Sequence, residues 1–185
     1  MKLKEYYIQM RDIDWFMKIN GTYIHAASAG GELPNFVDDY KTLRCAQKQV
    51  AKLPERYNNE DLVFNEQFIK DKLRDNIKRL REHGYDIVEY DEESRFNNYV
   101  ATFAVMARKG FVSFDRTNIY DIADNRYHWV ARPKQLNDIH DLNIPHILSV
   151  KTPISGRFAQ ILKMQQEWNL IDLINKSKRV AKLVR

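Results

Sequence analysis

The clearest pattern in the chain is a pair of apolar, β-prone runs on either side of an Asn-Gly dipeptide. Residues 15–19 read Trp-Phe-Met-Lys-Ile and residues 22–26 read Thr-Tyr-Ile-His-Ala, with Asn20 and Gly21 between them. Both turn residues tolerate positive φ, which a type I′ turn requires at its two central positions. We therefore predict a hairpin in which the two runs pair. Three large apolar side chains then share one face of the first strand: Trp15, Met17 and Ile19.

Apolar positions spaced three to four residues apart predict helices in the middle of the chain. The first helix follows Pro34 and Asn35 and ends at Pro54. The second follows the loop around Asn58 and runs to His83, with Gly84 as the stop. The apolar positions of the first are Phe36, Tyr40, Leu43, Ala46, Val50 and Leu53. Those of the second are Leu62, Ile69, Leu73, Ile77 and Leu80.

A third segment, residues 96–107, is almost entirely apolar or small, so we predict that it is the most buried helix. The acidic residues 91–93 precede it, where the helix dipole favours negative charge, and Lys109-Gly110 ends it. Short strands are predicted at residues 4–10, 85–90, 111–114 and 126–131. Residues 133–153 read as irregular. Two helices close the chain, the first at residues 156–168 and the second with Leu170, Leu173, Ile174, Ala181 and Val184 on one face.

These elements predict an α+β fold. A small, mainly antiparallel sheet is built on the N-terminal hairpin, the helix at residues 96–107 packs against it, and the other helices lie outside. Residues 1–150 form a single domain in this interpretation. Residues 151–185 form a basic helical extension that packs on the domain or on a neighbouring subunit.

Composition supports an ordered, soluble chain. Of its 185 residues, 44% are hydrophobic and 30% are charged, and the mean hydropathy is −0.60. No apolar run approaches the roughly 20 residues that span a bilayer, and no signal-peptide core follows the first residues, so we expect no membrane contact and synthesis in a cytoplasm. The single cysteine, Cys45, excludes an internal disulfide and reads as a partly buried helix residue.

Charge is distributed unevenly, and the C-terminus is the basic end. Residues 151–185 hold eight Lys or Arg and only two Asp or Glu. Such a segment is typical of contact with an acidic protein surface or with nucleic acid, although the helix dipole alone also favours cations near a helix end. The candidate interface residues are Lys176, Lys178, Arg179, Lys182 and Arg185.

The small-residue loop after the hairpin has the gross order of a phosphate cradle. It contains Ser28, Gly30 and Gly31, and Asn35 follows where a helix is predicted to begin. The loop lacks the Lys and hydroxyl pair of a P-loop and the spacing of a dinucleotide fingerprint. A flexible turn is therefore the favoured interpretation.

Three further groups of residues are candidates for catalysis or metal binding. His25 and Ser28 suggest a base and a nucleophile, but a strand histidine packed in a sheet is the simpler interpretation. Four residues of the irregular region could hold a metal: Asp138, His140, Asp141 and His146. Their spacing, however, matches no established metal-binding signature. A calcium loop would need alternating ligands and a terminal Glu, and the segment around residues 115–124 lacks both. We therefore interpret Asp115, Asp121 and Asp124 as turn formers. We predict no catalytic, cofactor-binding or metal-binding residue.

A resemblance appears in the N-terminal part of the chain. Three runs carry it: Arg-Asp-Ile-Asp-Trp-Phe at residues 11–16, Ile-Asn-Gly-Thr-Tyr-Ile-His at residues 19–25 and Gly-Gly-Glu-Leu-Pro at residues 30–34. Together they resemble uncharacterised proteins of crAss-like tailed bacteriophages. It covers about a fifth of the chain. The resemblance implies a phage context and a component of the virion, and it carries over no functional residue.

The leading hypothesis is therefore a non-enzymatic structural subunit of a tailed-phage virion, made in the host cytoplasm, in the head-to-tail connector region. Its partners would be other subunits, in a homo-oligomeric ring or a hetero-complex. Two alternatives remain open. One is a nucleic-acid-binding accessory protein, and the other is a small enzyme that uses the glycine-rich loop after the hairpin.

Overall fold

The N-terminal hairpin lies in the middle of a large β-sheet. In the computed structural model, strand β1 (Asp14–Ile19) pairs antiparallel with strand β2 (Thr22–Ala27). Asn20 and Gly21 have φ values of 47° and 89°, as a type I′ turn requires. The pairing has the predicted register and continues by one more residue pair at the open end. The structure describes residues 8–35, 37, 39–87, 89, 91–121, 123–135, 144, 147–151 and 167–179.

The sheet extends to both sides of this hairpin. Its other strands are β3 (Leu62–Phe64), β4 (Val112–Arg116), β5 (Arg126–Pro133), β6 (Leu148–Lys151), β7 (Glu167–Asn169) and β8 (Lys178–Arg179). The strand order is β3-β5-β4-β2-β1-β6-β8, and β7 also pairs with β5. Of the seven strand pairings among the described residues, five are antiparallel, whereas β1–β6 and β2–β4 are parallel. The fold is thus mixed α/β with a mostly antiparallel sheet, and this sheet is larger than the small one predicted.

Four helices pack with the sheet in the described part of the chain. They are α1 (Tyr40–Ala51), α2 (Glu66–Glu82), α3 (Glu92–Arg108) and α4 (Leu170–Asn175), and a 3-10 turn covers Asn59–Asp61. Local residues set the ends of α1 and α3. The side chains of Asp39 and Asp91 accept hydrogen bonds from the backbone N–H groups of Thr42 and Ser94, which caps the two N-termini.

Both faces of the central strands are buried. Trp15, Met17 and Ile19 are fully buried on one face and pack in a cluster that includes Ile174 of α4. Phe16 lies on the opposite face, where its ring meets Phe111 edge to face at 5.6 Å. The face of the hairpin that carries Phe16 is therefore a second interior surface, and helices cover it.

One buried cation links two of the helices. Lys109, which ends α3, is only 7% exposed, and its Nζ donates to the carbonyls of Val50 and Ala51, each at 3.0 Å. Those carbonyls belong to the last turn of α1, where intrahelical donors run out. The ammonium group of Lys109 thus satisfies the end of α1 from the end of α3.

Several predicted elements need correction in the middle of the chain. Leu62 lies in strand β3, because its segment pairs with residues 131–133 of β5, so α2 begins only at Glu66. Helix α1 begins at Tyr40, since Asp39 provides the cap, and the residues after Pro34 precede the helix. No strand is found among the described residues of the predicted segment 85–90, and Tyr85 is 63% exposed.

The ends of the chain also differ from the prediction. Ile8 and Gln9 are helical, whereas the rest of the predicted strand at residues 4–10 lies mostly outside the described residues. Residues 148–151 form strand β6 within a region predicted to be irregular. Glu167 and Trp168 belong to strand β7, although they were predicted to end a helix. The other residues of that predicted helix, 156–166, lie outside the described residues. Helix α4 ends at Asn175.

Candidate functional site

A cleft opens between helix α2 and the loop that follows strand β4. We call it the α2 cleft. Its volume is about 520 Å³, within the range of roughly 300–1,000 Å³ that is typical of small-molecule sites. Ile69, Leu73 and Lys72 line it from α2, and Tyr120 lines it from the loop. Both apolar and ionisable side chains therefore face the same concave surface.

The floor of the α2 cleft is formed by Tyr99 of α3 and Asp115 of β4. The Tyr99 hydroxyl donates to Oδ2 of Asp115 at 2.5 Å and lies 3.0 Å from Nε2 of His128. Nδ1 of His128 lies 3.2 Å from Oγ1 of Thr117. The backbone N–H of Arg116 completes the set by donating to Oδ1 of Asp115 at 2.8 Å. We call these five groups the Asp115 network.

The donors and acceptors of the Asp115 network define one direction of hydrogen bonding. Tyr99 donates its only hydroxyl proton to Asp115, so in the contact between Tyr99 and His128 the hydroxyl oxygen accepts and Nε2 of His128 donates. Oγ1 of Thr117 can donate or accept, so the neutral ring, in which Nδ1 accepts, is favoured by burial and not by the partners alone.

The pKa values agree with this assignment. Burial lowers the pKa of His128 well below its ordinary value of 6.5, and the positive charge of Lys72 acts in the same direction. Burial also raises the pKa of Tyr99 well above 10.0, with Asp115 as the next cause. For Asp115, burial raises the pKa, whereas the hydrogen bond from Tyr99 and the charge of Lys72 oppose that rise.

Lys72 reaches into the same site from α2. Its Nζ donates to the backbone carbonyl of Arg116 at 3.2 Å. Burial lowers the pKa of Lys72, whereas Asp115 and Glu167 raise it. Lys72 and Asp115 therefore attract each other across the floor, yet no direct ion pair within 4.0 Å joins these two described side chains.

Tyr120 spans the mouth of the α2 cleft. Its hydroxyl donates to Oδ1 of Asn76 on α2 at 2.7 Å, and the guanidinium of Arg79 lies 4.4 Å from the centre of its ring. Its backbone N–H donates to Oδ1 of Asn118 at 3.1 Å. Nevertheless, 58% of Tyr120 is exposed. The loop is thus held to α2 at one point, while an aromatic face remains open to solvent.

Arg116 supports the loops behind the site. It is completely buried, and its guanidinium donates to the backbone carbonyls of Ala29 at 3.2 Å, Asp124 at 3.1 Å and Asp121. These bonds join the loop after the hairpin to the loop after β4. Arg116 therefore fixes the backbone next to Asp115 without itself facing the α2 cleft.

Comparisons with protein-family models, curated protein sequences and solved structures find no match to this chain. None of the helices in the described ranges is long and apolar enough to cross a membrane. Among the same residues, no group of three or more His, Cys, Asp or Glu side chains is arranged to hold a metal ion. The chemistry of the α2 cleft is therefore the basis for proposing a function.

The geometry of the loop after the hairpin does not favour the phosphate cradle that was the less favoured alternative. Backbone donors that a phosphate would need are already used, since Gly31 N–H donates to Ser28 and Gly30 N–H donates to Arg11. Among the described residues the next helix begins at Tyr40, so none of them places a helix N-terminus beside the loop. This structure agrees with the turn that the sequence favoured.

The other polar groups of this region also have structural partners. Oγ of Ser28 accepts a hydrogen bond from the backbone N–H of Ile13 at 2.9 Å. The backbone N–H of Asn35 donates to Oδ1 of Asn175 at 3.0 Å. Ser28 and Asn35 thus tie the loop to the first strand and to α4.

His25 is hydrogen-bonded to residues other than Ser28. Its Nε2 lies 3.0 Å from Oδ1 of Asp14, and its Nδ1 lies 3.2 Å from Oγ of Ser113. Although this set contains the residue types of a hydrolytic triad, Ser113 is fully buried and donates its hydroxyl proton to the carbonyl of Phe103. His25 is a packed sheet histidine, as the simpler interpretation expected.

Asp115 in β4 and the acidic residues Asp121 and Asp124 in the loop after it have different roles. Oδ1 of Asp121 accepts from the backbone N–H of Ala123, and Asp124 forms an ion pair with Arg126. Arg126 holds the pKa of Asp124 down at about 2. These two residues are turn formers, as predicted, whereas Asp115 belongs to the floor of the α2 cleft. The four residues considered above as metal ligands, Asp138, His140, Asp141 and His146, lie outside the described residues.

The three described basic residues of the C-terminal segment, Lys176, Lys178 and Arg179, do not lie in one helix. Lys176 is exposed and follows α4, whereas Lys178 and Arg179 form strand β8, which pairs with Lys151 and Val150 of β6. The chain leaves the helix because the backbone of this segment hydrogen-bonds to a sheet edge. Lys182 and Arg185 lie outside the described residues.

Sequence reasoning did not predict the Asp115 network, since it interpreted Asp115 as a turn former and assigned no role to Tyr99 or His128. Each is a polar residue inside an otherwise buried segment: Tyr99 in the most apolar helix, His128 in strand β5 and Asp115 at the end of an apolar run. Buried polar groups require partners, so these interruptions were a usable signal. Their common location depends on tertiary contacts between three separate elements.

Proposed function

We propose that this protein binds a small organic molecule in the α2 cleft. The observation that carries the proposal is that three ionisable groups with altered pKa values, Lys72, Tyr99 and Asp115, line a cleft of about 520 Å³. Such clusters are costly to bury, and they are common where a ligand supplies the missing interactions. The proposed role is binding, and a reaction is not part of it.

Unused hydrogen-bonding capacity supports this interpretation. The ammonium group of Lys72 has three donors, and one of them bonds to the carbonyl of Arg116. Asp115 accepts one bond on each carboxylate oxygen, which leaves further lone pairs. A purely structural cluster would gain stability by pairing these groups with each other.

Blocking the cleft tests the proposal. Ligand-observed NMR would be used to find binders in a library of fragment-sized compounds, first with the intact protein. Asn76→Trp places a bulky ring on the wall of the α2 cleft, so we expect it to abolish binding of those compounds. Asn97→Trp is the matched control, because Asn97 is exposed on α3 and does not line the cleft. Equal binding to both variants would contradict the proposal.

We also propose, as a second function, the assembly role that the sequence suggests: a subunit of a tailed-phage particle. The basic segment 151–185 favours it, since subunits of rings often dock oppositely charged faces. Half of the residues that carry the phage resemblance are buried, including Trp15, Ile19 and Ile24. Their similarity therefore concerns the fold more than a contact surface.

Size measurement tests this second function. Light scattering coupled to size-exclusion chromatography would compare the intact chain with a chain truncated after Asn175, at low and high salt. We expect the intact chain to form a ring or larger complex, and truncation or salt to weaken it because exposed ion pairs are screened. A monomer under all conditions would count against assembly. A DNA affinity that falls steeply with salt would instead favour the nucleic-acid alternative.

A further inference from the structure

The floor of the α2 cleft carries two opposite charges that are held apart. Lys72 comes from α2 and Asp115 from β4, and each acts on the pKa of the other in the direction that favours its charged form. Instead of pairing, each is bonded to other groups: Lys72 to the carbonyl of Arg116, and Asp115 to Tyr99 and to the backbone N–H of Arg116. The floor is therefore dipolar.

A dipolar floor discriminates between ligands by charge. A simple anion would gain from Lys72 but would be repelled by Asp115, and a simple cation would meet the reverse situation. Apart from Lys72, the charged residues of α2 that line the cleft also balance, with Lys78 and Arg79 against Asp75 and Glu82. No excess of either sign is present to attract a singly charged ligand.

We infer that the α2 cleft takes a small zwitterion, namely an apolar α-amino acid, whose carboxylate binds Lys72 and whose ammonium binds Asp115. The inference rests on the proposed small-molecule function and specifies its ligand class. The two free donors of Lys72 match the acceptors of a carboxylate, and the open lone pairs of Asp115 match the donors of an ammonium group. Neighbouring charges in the ligand would replace the ion pair that the protein does not form itself.

The walls favour an apolar side chain on this ligand. Ile69 and Leu73 line the cleft from α2, and Ile119 and Tyr120 line it from the loop. Ile119 is 50% exposed and Tyr120 is 58% exposed. A ligand side chain that covers them would remove apolar surface from water, which is favourable. A polar side chain would lose this contribution.

Three related probes test the inference by calorimetry on the intact protein. L-leucine carries both charges, L-leucinamide lacks the carboxylate, and 4-methylpentanoate lacks the ammonium group. We expect L-leucine, or another apolar amino acid among valine, isoleucine, methionine and phenylalanine, to bind at least tenfold more tightly than its two singly charged analogues. Equal affinities for the three probes, or binding by none of the five amino acids, would overturn the inference.

Variants assign each charge of the ligand to a residue. Lys72→Met should remove the preference for the amino acid over its amide, whereas Lys72→Arg should retain it because the positive charge remains. Asp115→Asn should remove the preference over 4-methylpentanoate. Lys48→Met is the control, since Lys48 is exposed on α1 and does not line the cleft. A preference that survives in Lys72→Met would overturn the assignment, and this result does not depend on the folding of Asp115→Asn.

The fragment screen separates this inference from the proposed function. If fragments bind wild type and not Asn76→Trp, while no apolar amino acid binds, the ligand class is wrong and the small-molecule function stands. If no compound of either kind binds, both are wrong.

Discussion

Gly31 lies so close to the guanidinium of Arg116 that a Cβ atom added to the glycine would be 2.7 Å from the Cζ atom of the arginine. That guanidinium is buried and already donates to the carbonyls of Ala29, Asp121 and Asp124. It cannot move away without breaking those bonds. The absence of a side chain at residue 31 is therefore a condition for the loop arrangement behind the α2 cleft.

Gly31→Ala should lower the free energy of unfolding by about 1–3 kcal/mol, because it overpacks a buried site. Urea denaturation measures this change. Arg116→Lys, which has a slimmer head group, should make the alanine less costly, so the double variant should show a coupling above about 0.5 kcal/mol. Strictly additive effects would show that the two residues do not press on each other.

Gly21→Val should lower the melting temperature for a different reason. A Cβ at Gly21 would meet nothing within 4 Å, but its φ of 89° strains any residue with a side chain, and β-branching adds to the strain. The expected cost is about 1–2 kcal/mol. Gly21→Asn is the control and should cost less, because asparagine tolerates positive φ. An unchanged melting temperature for the valine variant would argue against the type I′ turn.

Lys109→Met should destabilise the protein by about 2–4 kcal/mol. It removes two hydrogen bonds from a charged donor and leaves the carbonyls of Val50 and Ala51 without this partner. Lys48→Met makes the same chemical change at an exposed position of α1 and should stay within about 0.5 kcal/mol of wild type. Chemical denaturation followed by circular dichroism compares the two. Similar values would contradict a capping role for Lys109.

His128 should make the protein sensitive to mild acid. Its pKa is lowered in the folded state by burial, so below about 6.5 the unfolded chain binds a proton that the folded chain does not. The free energy of unfolding should therefore fall as the pH drops below 6.5 and continue to fall until the folded-state pKa is reached. His128→Gln should flatten this dependence, whereas His83→Gln, at an exposed residue after α2, should leave the His128 contribution in place. Identical pH profiles for wild type and His128→Gln would refute the neutral buried imidazole.

Local sequence determined the elements whose signals are contained within a few residues. The hairpin follows from Asn20-Gly21, because a turn that needs two positive φ values has few alternatives. The C-terminal end of α3 follows from Lys109-Gly110, whereas its N-terminus lies at Glu92, before the predicted segment 96–107, because Asp91 caps the helix there. In the hairpin and at the C-terminal end of α3 the bonds that stabilise the element join near neighbours, so pattern and propensity were sufficient.

Tertiary structure decided the elements whose hydrogen-bond partners are distant in the chain. Leu62 became a strand residue because its backbone pairs with Pro133, and Trp168 did so because it pairs with Tyr127. Lys178 was predicted to be helical but lies in a strand, because its backbone pairs with Lys151. A short apolar segment fits a helix or a strand equally well when read alone, and the available partner selects between them.

The candidate site depends most on tertiary structure. Asp115 reads locally as a turn former, and its role comes from the antiparallel pairing of β4 with β5, which sets it opposite His128. Packing of α3 against these strands then adds Tyr99. The sequence by itself determined that these polar residues lie within apolar segments. Only the fold decided that they meet, because burial forces each of them to find its hydrogen-bond partner on a different element.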